Sequence, residues 1–219
     1  MTTQAVLFDF DGVLADTENV HVAAWERTFD AMGWDLTAEE CARAAEIDDR
    51  VFLAEVFSKA NTMGDVLGWA NRKQAITRAL LADVPPLQPG VRDLIERLKG
   101  RARLAVVSGT WRENVETVLR SAGLRDAFEL IVAKEDTQAP KPHPEAYRLA
   151  LKKLGLPAWE ARAIEDSHAG WASARAAGLV CLVVGSRDFP TEPGREVPDR
   201  LPDLRDTYRV LNALGPLAS

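Results

Sequence analysis

The 219-residue chain predicts an α/β fold, a doubly wound parallel sheet of five strands with an all-helical domain inserted after the first strand. Three observations carry this. A continuously apolar run, AVLF at residues 5–8, opens the chain and ends on an acid. From about Thr17 to Leu81 only helical spacing is found. Beyond a proline-rich break, short apolar runs and amphipathic stretches alternate to the C-terminus.

An unbroken apolar run is the pattern of a strand covered on both faces, as parallel strands are. AVLF is therefore read as the first strand, ending at Asp9. The next block holds VHVAAWERTFDAMG, RVFLAEVFSKA and WANRKQAITRALLA, whose apolar residues recur at helical intervals. No strand-like stretch interrupts it. VPPLQPG, residues 84–90, then places three prolines and a glycine in seven positions, which favours extended backbone and a fresh helix start at Gly90. This break sets the expected domains: a Rossmann-like core of residues 1–15 and 84–219, and a helical cap of residues 16–83.

After the break the order is regular. VRDLIERLKG reads as helix, ARLAVVSG as strand, TWRENVETVLRSAG as helix from Thr110, and FELIVA as strand. PEAYRLALKKLG, opening at Pro144, is a helix, followed by the strand ARAIED, the helix AGWASARAAG, the strand LVCLVVG and a last helix in DLRDTYRVLNALG. Several of these helices run out at glycine, the residue that best adopts a left-handed C-cap. Parallel strands need crossover connections, so helices cover both faces of the sheet. SRDFPTEPGREVPDRLPD, residues 186–203, is rich in proline and charge and reads as a surface loop.

Composition narrows the function. A formal charge of -6 leaves no basic excess for a phosphate backbone, which argues against nucleic acid as a partner. Cys41 and Cys181 stand far apart, without a CxxC pair or a histidine companion, as in chains of a reducing compartment; the cytoplasm is expected, and zinc or a disulfide framework is not. No basic segment precedes an apolar run long enough for a signal peptide or a membrane span, so a soluble and complete chain is expected. No heptad signals an obligate protein partner.

In open α/β sheets, ligands bind beyond the carboxyl ends of the strands. The residues expected there are Asp9 and Asp11 after strand one, Ser108, Gly109 and Thr110 after strand two, Lys141 in the loop after strand three, and Glu165 and Asp166 at the end of strand four. On a strand, residues two apart point the same way, so both Asp9 and Asp11 can face one group. Carboxylates that can hold a divalent cation, a hydroxyl and an amide for phosphate oxygens, and a lysine to neutralise charge are the parts phosphoryl chemistry needs. Taken singly, each has a structural explanation. Paired acids mark turns or caps, Ser108 can cap the helix from Thr110, a lone lysine is a solvated charge, and Glu165 and Asp166 can cap the next helix. Four unrelated caps would not supply one complete set.

DFDGVLADTE, VVSGT, KPHPEAY and IEDSHAG, in this order, resemble the four motifs of the haloacid dehalogenase superfamily. Within it the chain is most similar to the β-phosphoglucomutase-like branch, with a helical cap inserted after the first motif, and the resemblance covers nearly the whole chain. It implies that Asp9 is the nucleophile and forms an aspartyl-phosphate, and that Asp11 is the general acid/base. It implies Mg²⁺ on the side chains of Asp9 and Asp166 and the carbonyl of Asp11, with Glu165 as an inner or outer ligand. Ser108, the Gly109 amide and Lys141 would hold the transferring phosphoryl group.

In the cap, the resemblance implies hinge and substrate positions at Thr17, His21 and Trp25, and a phosphate-gripping Arg50. Two departures stand out. The loop AEIDDRV lacks the glycine and lysine that the mutase has before its arginine, and Gly-Thr-Trp-Arg follows Ser108 where the mutase has a serine, lysine and asparagine. Thr110 and Arg112 are left to bind a distal phosphate. Trp25, at helical spacing from His21 and Phe29, is equally a cap-core residue, and Arg50 can equally pair with Asp48 and Asp49. His143 and His168 are assigned no chemistry. The implied activity is Mg²⁺-dependent hydrolysis of a small phosphorylated metabolite, a sugar phosphate or bisphosphate. A phosphosugar mutase, a non-enzymatic phosphometabolite sensor and a 2-haloacid dehalogenase are the alternatives.

Overall fold

A computed structural model describes residues 2–185 and 199–218. The expected loop at residues 186–203 lies outside the described residues except at its end, 199–203. In chain order, β1 (Ala5–Phe8) is followed by α1 (Glu18–Met32), α2 (Ala38–Glu46), α3 (Asp49–Lys59), α4 (Val66–Asp83) and α5 (Val91–Leu98). Then come β2 (Arg103–Val107), α6 (Arg112–Ser121), β3 (Leu130–Val132), α7 (Glu145–Leu154), β4 (Ala161–Glu165), α8 (His168–Ala176), β5 (Val180–Val184), β6 (Asp199–Leu201) and α9 (Thr207–Leu214). The chain divides into two compact units, Met1–Asp16 with Pro85–Ser219, and Thr17–Val84.

The larger unit is a parallel sheet in the order β3-β2-β1-β4-β5-β6. β1 is central, with Phe8 in register with Val106 on one side and Ile164 on the other. All four of its residues are fully buried, which is why its sequence is apolar without alternation. Among the described residues the sheet has six strands, one more than the five expected. The sixth, β6, is a three-residue edge strand reading DRL; shortness and charge blunt a sheet edge and also hide it from a reading based on apolar runs. α6 begins at Arg112, later than the expected Thr110, with Trp111 at its N-cap. Left-handed glycines end α1 at Gly33 and α7 at Gly155, each amide returning to carbonyls of the last turn.

The smaller unit is helical. α2 starts at a capping box of Thr37 and Glu40, α3 at Asp48, and α4 at Asp65, whose carboxylate accepts from the Gly68 amide. α1 packs along α4. Trp25, Phe29, Phe52, Leu53 and Phe57 form the core between the helices, with the Trp25 and Phe52 rings edge to face at 4.8 Å. Burying a side chain of this size contributes about 1.5–3 kcal/mol, so this core is a substantial source of the unit's stability. No helix among the described residues is long and apolar enough to cross a membrane.

Candidate active site

The strand order reverses beside β1: β2 and β3 lie on one side, β4 and β5 on the other. Ligands of such sheets bind in the crevice at that reversal. Asp9 is the first residue past β1, and its amide donates to the Ile164 carbonyl at 2.9 Å. The chain then turns, with the amides of Leu14 and Ala15 donating to the Phe10 carbonyl and the Gly12 amide to the Ala15 carbonyl. The placement of Asp11 is therefore set by a turn, not by strand alternation. Gly12 makes the turn at φ +80°, and a Cβ there would lie 2.1 Å from Asp166 Oδ2. Glycine is required both for the backbone angle and for the close approach.

Lys141 organises the cluster. Its ammonium donates to Asp9 Oδ1 at 2.6 Å, to Glu165 Oε1 at 2.6 Å and to the Val107 carbonyl at 2.9 Å, which uses all three of its N–H bonds. The Tyr147 hydroxyl donates to the same Glu165 Oε1, also at 2.6 Å, and the ammonium lies 5.2 Å from the Tyr147 ring centroid. Glu165 Oε2 is buried with no hydrogen-bond partner among the described residues. Gly170 admits this carboxylate, since a Cβ there would stand 2.0 Å from Glu165 Oε2. The cap of α8 falls to Ser167, whose Oγ accepts from the Gly170 amide, so neither Glu165 nor Asp166 is spent as the N-cap.

Asp9, Glu165 and Asp166 are all buried, and each offers a carboxylate oxygen within 4.8 Å of the others. Three carboxylates around one ammonium leave an excess of negative charge in a dry place. Burial raises the Asp9 carboxyl above its ordinary range and pushes Glu165 up to about 8; repulsion from Asp11 adds to the first and repulsion from Asp9 to the second, and Lys141 opposes both. For Lys141, burial acts downward, but Asp9 and Glu165 outweigh it and hold the ammonium well above an ordinary lysine. Hard oxygen donors, excess negative charge and an orphaned carboxylate oxygen fit a divalent cation of the Mg²⁺ type.

The β2 end is joined to this rim. Ser108 is buried, its amide donating to the Val132 carbonyl and its Oγ accepting from the Thr110 amide at 2.9 Å. It closes that turn instead of capping a helix. The Thr110 hydroxyl donates to Asp11 Oδ2 at 2.5 Å, linking the loops after β1 and β2. The backbone of Gly109 is open, with no atom near the position a Cβ would take. Arg112 is held elsewhere: its guanidinium donates to Asp136 at 2.5 Å and to the Ile131 carbonyl at 3.1 Å, at the end of β3.

The remaining expected residues lie in the helical unit. Thr17 is the buried N-cap residue of α1, and His21 stands one turn further on. Trp25 lies in the aromatic core, only 3% exposed. Arg50 is largely exposed and donates to Asp48 Oδ1 at 3.3 Å, within the first turn of α3. What the sequence reading missed is Lys73. Only 2% exposed, its ammonium donates to both Asp49 oxygens at 3.1 and 3.2 Å, meets His21 Nδ1 at 3.1 Å, and stands 5.0 Å from the Trp25 ring centroid. An ammonium can only donate, so His21 Nδ1 accepts and the imidazole proton sits on Nε2. Burial, then Lys73, lower the His21 pKa to about 4, with Asp49 acting the other way. A signal existed: Ala70, Lys73, Thr77 and Leu81 share the buried stripe of α4 at spacings of three and four.

Known proteins bear on this geometry. The sequence pattern of haloacid dehalogenase-like hydrolases matches residues 6–184, from β1 through β5 and through every cluster residue named above. Protein CbbY of Rhodobacter capsulatus is 34% identical over 215 residues, covering 93% of this chain and 95% of that protein. The phosphorylated carbohydrates phosphatase of Thermotoga maritima is 28% identical over 177 residues, covering 80% of this chain and 82% of its own. Among crystal structures, a mutant CbbY from Rhodobacter sphaeroides in complex with xylulose-(1,5)bisphosphate superposes with a TM-score of 0.77 at 32% identity, covering 94% of this chain and 96% of that one. With a parallel α/β sheet, the carboxylate cluster at its reversal and this extent of likeness, the chain belongs to the haloacid dehalogenase-like hydrolase family.

Proposed function

We propose that the protein is a phosphatase of phosphorylated sugars, working through an aspartyl-phosphate on Asp9 in a reducing, cytoplasmic setting. The observation that carries this reading is the buried cluster in which Lys141 joins Asp9 to Glu165 beside Asp166. Likeness to a phosphatase of phosphorylated carbohydrates and to a protein crystallised with a sugar bisphosphate gives the substrate class.

In the proposed reaction an Asp9 carboxylate oxygen attacks phosphorus, the bond from phosphorus to the sugar oxygen breaks, and Asp11 gives its proton to the leaving oxygen. Water then attacks the aspartyl-phosphate at phosphorus, its proton passing to Asp11, and Asp9 and inorganic phosphate are released. Thr110 would keep Asp11 oriented for both transfers. Ser108, the Gly109 amide and Lys141 would bind the phosphoryl oxygens, which requires Lys141 to exchange one of its present acceptors for phosphate. Asp9, Asp166 and the Asp11 carbonyl, with Glu165, would hold Mg²⁺, which supplies positive charge where carboxylate and phosphate meet. The helical unit is proposed to act as the cap that selects the sugar. Arg112 and Arg50 are left out of this scheme, since each is paired with a nearby aspartate.

The test is a panel of sugar phosphates and bisphosphates, followed for inorganic phosphate and for isomerised sugar phosphate. Release of phosphate that stops on chelation with EDTA is expected. Isomerisation without net loss of phosphate would replace the reading with a mutase, and turnover that survives chelation would remove the cation from it.

A further inference from the structure

Tyr147 has no part in the chemistry above, yet it is fully buried and its hydroxyl is aimed at the cluster. A phenylalanine would fill the same space on α7 without bringing a polar atom into the core. The hydroxyl's acceptor is Glu165 Oε1, the oxygen that already takes a bond from Lys141. Two donors at 2.6 Å match the two lone pairs that one carboxylate oxygen offers. The other oxygen, Oε2, accepts from no described group and is held in the gap left by Gly170.

From this asymmetry we infer that Tyr147 is a positioning residue: it fixes the Glu165 carboxylate with Oε1 spent and Oε2 reserved for a divalent cation. This rests on the cation reading given above. Two donors on one oxygen resist rotation of the carboxylate, whereas Lys141 alone, free to exchange acceptors, does not. The ring also faces the Lys141 ammonium, so the same side chain steadies both partners of Glu165. Groups that orient a metal ligand in this way typically change metal affinity by about 10–100-fold when removed.

The test is titration of the substrate-free protein with Mn²⁺, read by electron paramagnetic resonance of the free ion. Tyr147→Phe deletes one oxygen and keeps the ring, and circular dichroism in chelator checks the fold. Its Mn²⁺ affinity should fall about tenfold. In a Glu165→Gln background the same change should alter affinity by less than about twofold, because a residue that acts through Glu165 has nothing further to lose. A general packing role would weaken both backgrounds alike, and that result overturns the inference, as does a Tyr147→Phe protein that binds Mn²⁺ like the wild type. A wild type that binds no Mn²⁺ refutes the cation site itself, and the inference with it.

Discussion

Replacing Lys73 with methionine isolates the charge that the helical unit keeps in its core. Burial, with the Lys73 charge beside it, lowers the His21 pKa from an ordinary 6.5 to about 4. A lowering of that size corresponds to about 3.5 kcal/mol of proton-binding free energy. Burial is the larger cause and Lys73 the second, while Asp49 pulls upward. In Lys73→Met the repulsion disappears and Asp49 is no longer neutralised, two changes of the same sign, so the His21 pKa should rise by at least about one unit. Titration of the histidine ring signals by NMR, with His21 assigned through His21→Gln, reads this directly. A His21 signal that titrates at the wild-type position in Lys73→Met would refute the reasoning.

The same change should lower stability by about 3 kcal/mol, the low end for a broken buried pair. Asp49 retains its bond from Gln74 and is 17% exposed, which limits the loss. The sign with pH follows from the depressed value. The unfolded chain binds the His21 proton more tightly, so the wild-type contribution is complete above about pH 6.5 and is lost as pH falls toward about 4. Denaturant midpoints taken across that window should slope less in Lys73→Met.

Gly170→Ala would place a Cβ 2.0 Å from Glu165 Oε2, so the carboxylate must move and Mn²⁺ affinity should drop by more than about tenfold; unchanged affinity would dissociate Glu165 from the cation. Gly12→Ala combines a positive φ with a 2.1 Å clash against Asp166 and should destabilise the protein by more than about 1 kcal/mol in chemical denaturation. Arg50→Ala removes only an exposed pair with Asp48, so thermal stability should change by less than about 1 kcal/mol and KM for sugar phosphates should stay within about twofold; a large rise in KM would return Arg50 to the substrate.

The elements that read most clearly from sequence are those whose local pattern and tertiary environment agree. β1 is apolar throughout and buried throughout, and the three long apolar helical patterns of residues 17–81 all appear as helices. β6 was hidden because an edge strand is short and charged by design of the sheet. At the site, motif spacing picks out Asp9, Lys141, Glu165 and Asp166, although Lys141 and Asp9 are 132 residues apart, because strand ends gather at one rim whatever their separation. Pairings that involve a side chain on a helix follow no such rule. Lys73 with Asp49, Arg112 with Asp136 and Tyr147 with Glu165 each lie about two dozen residues apart or fewer, yet only the packed structure brings their polar atoms together. Lys73 could have been suspected from its place on the buried stripe of α4, whereas nothing in the pattern around Tyr147 indicates where its hydroxyl goes.

The most direct test is chemical trapping of phosphorylated Asp9. The protein is mixed with a turned-over sugar phosphate and Mg²⁺, quenched in acid within one turnover, and reduced with borohydride, which converts an aspartyl-phosphate to homoserine. Mass spectrometry of the peptide containing residues 5–16 should then show homoserine at position 9 alone, and Asp9→Asn should show neither homoserine nor release of inorganic phosphate. Phosphate release at the wild-type rate by Asp9→Asn, or trapping at Asp11 in place of Asp9, would contradict the assignment of Asp9 as the nucleophile.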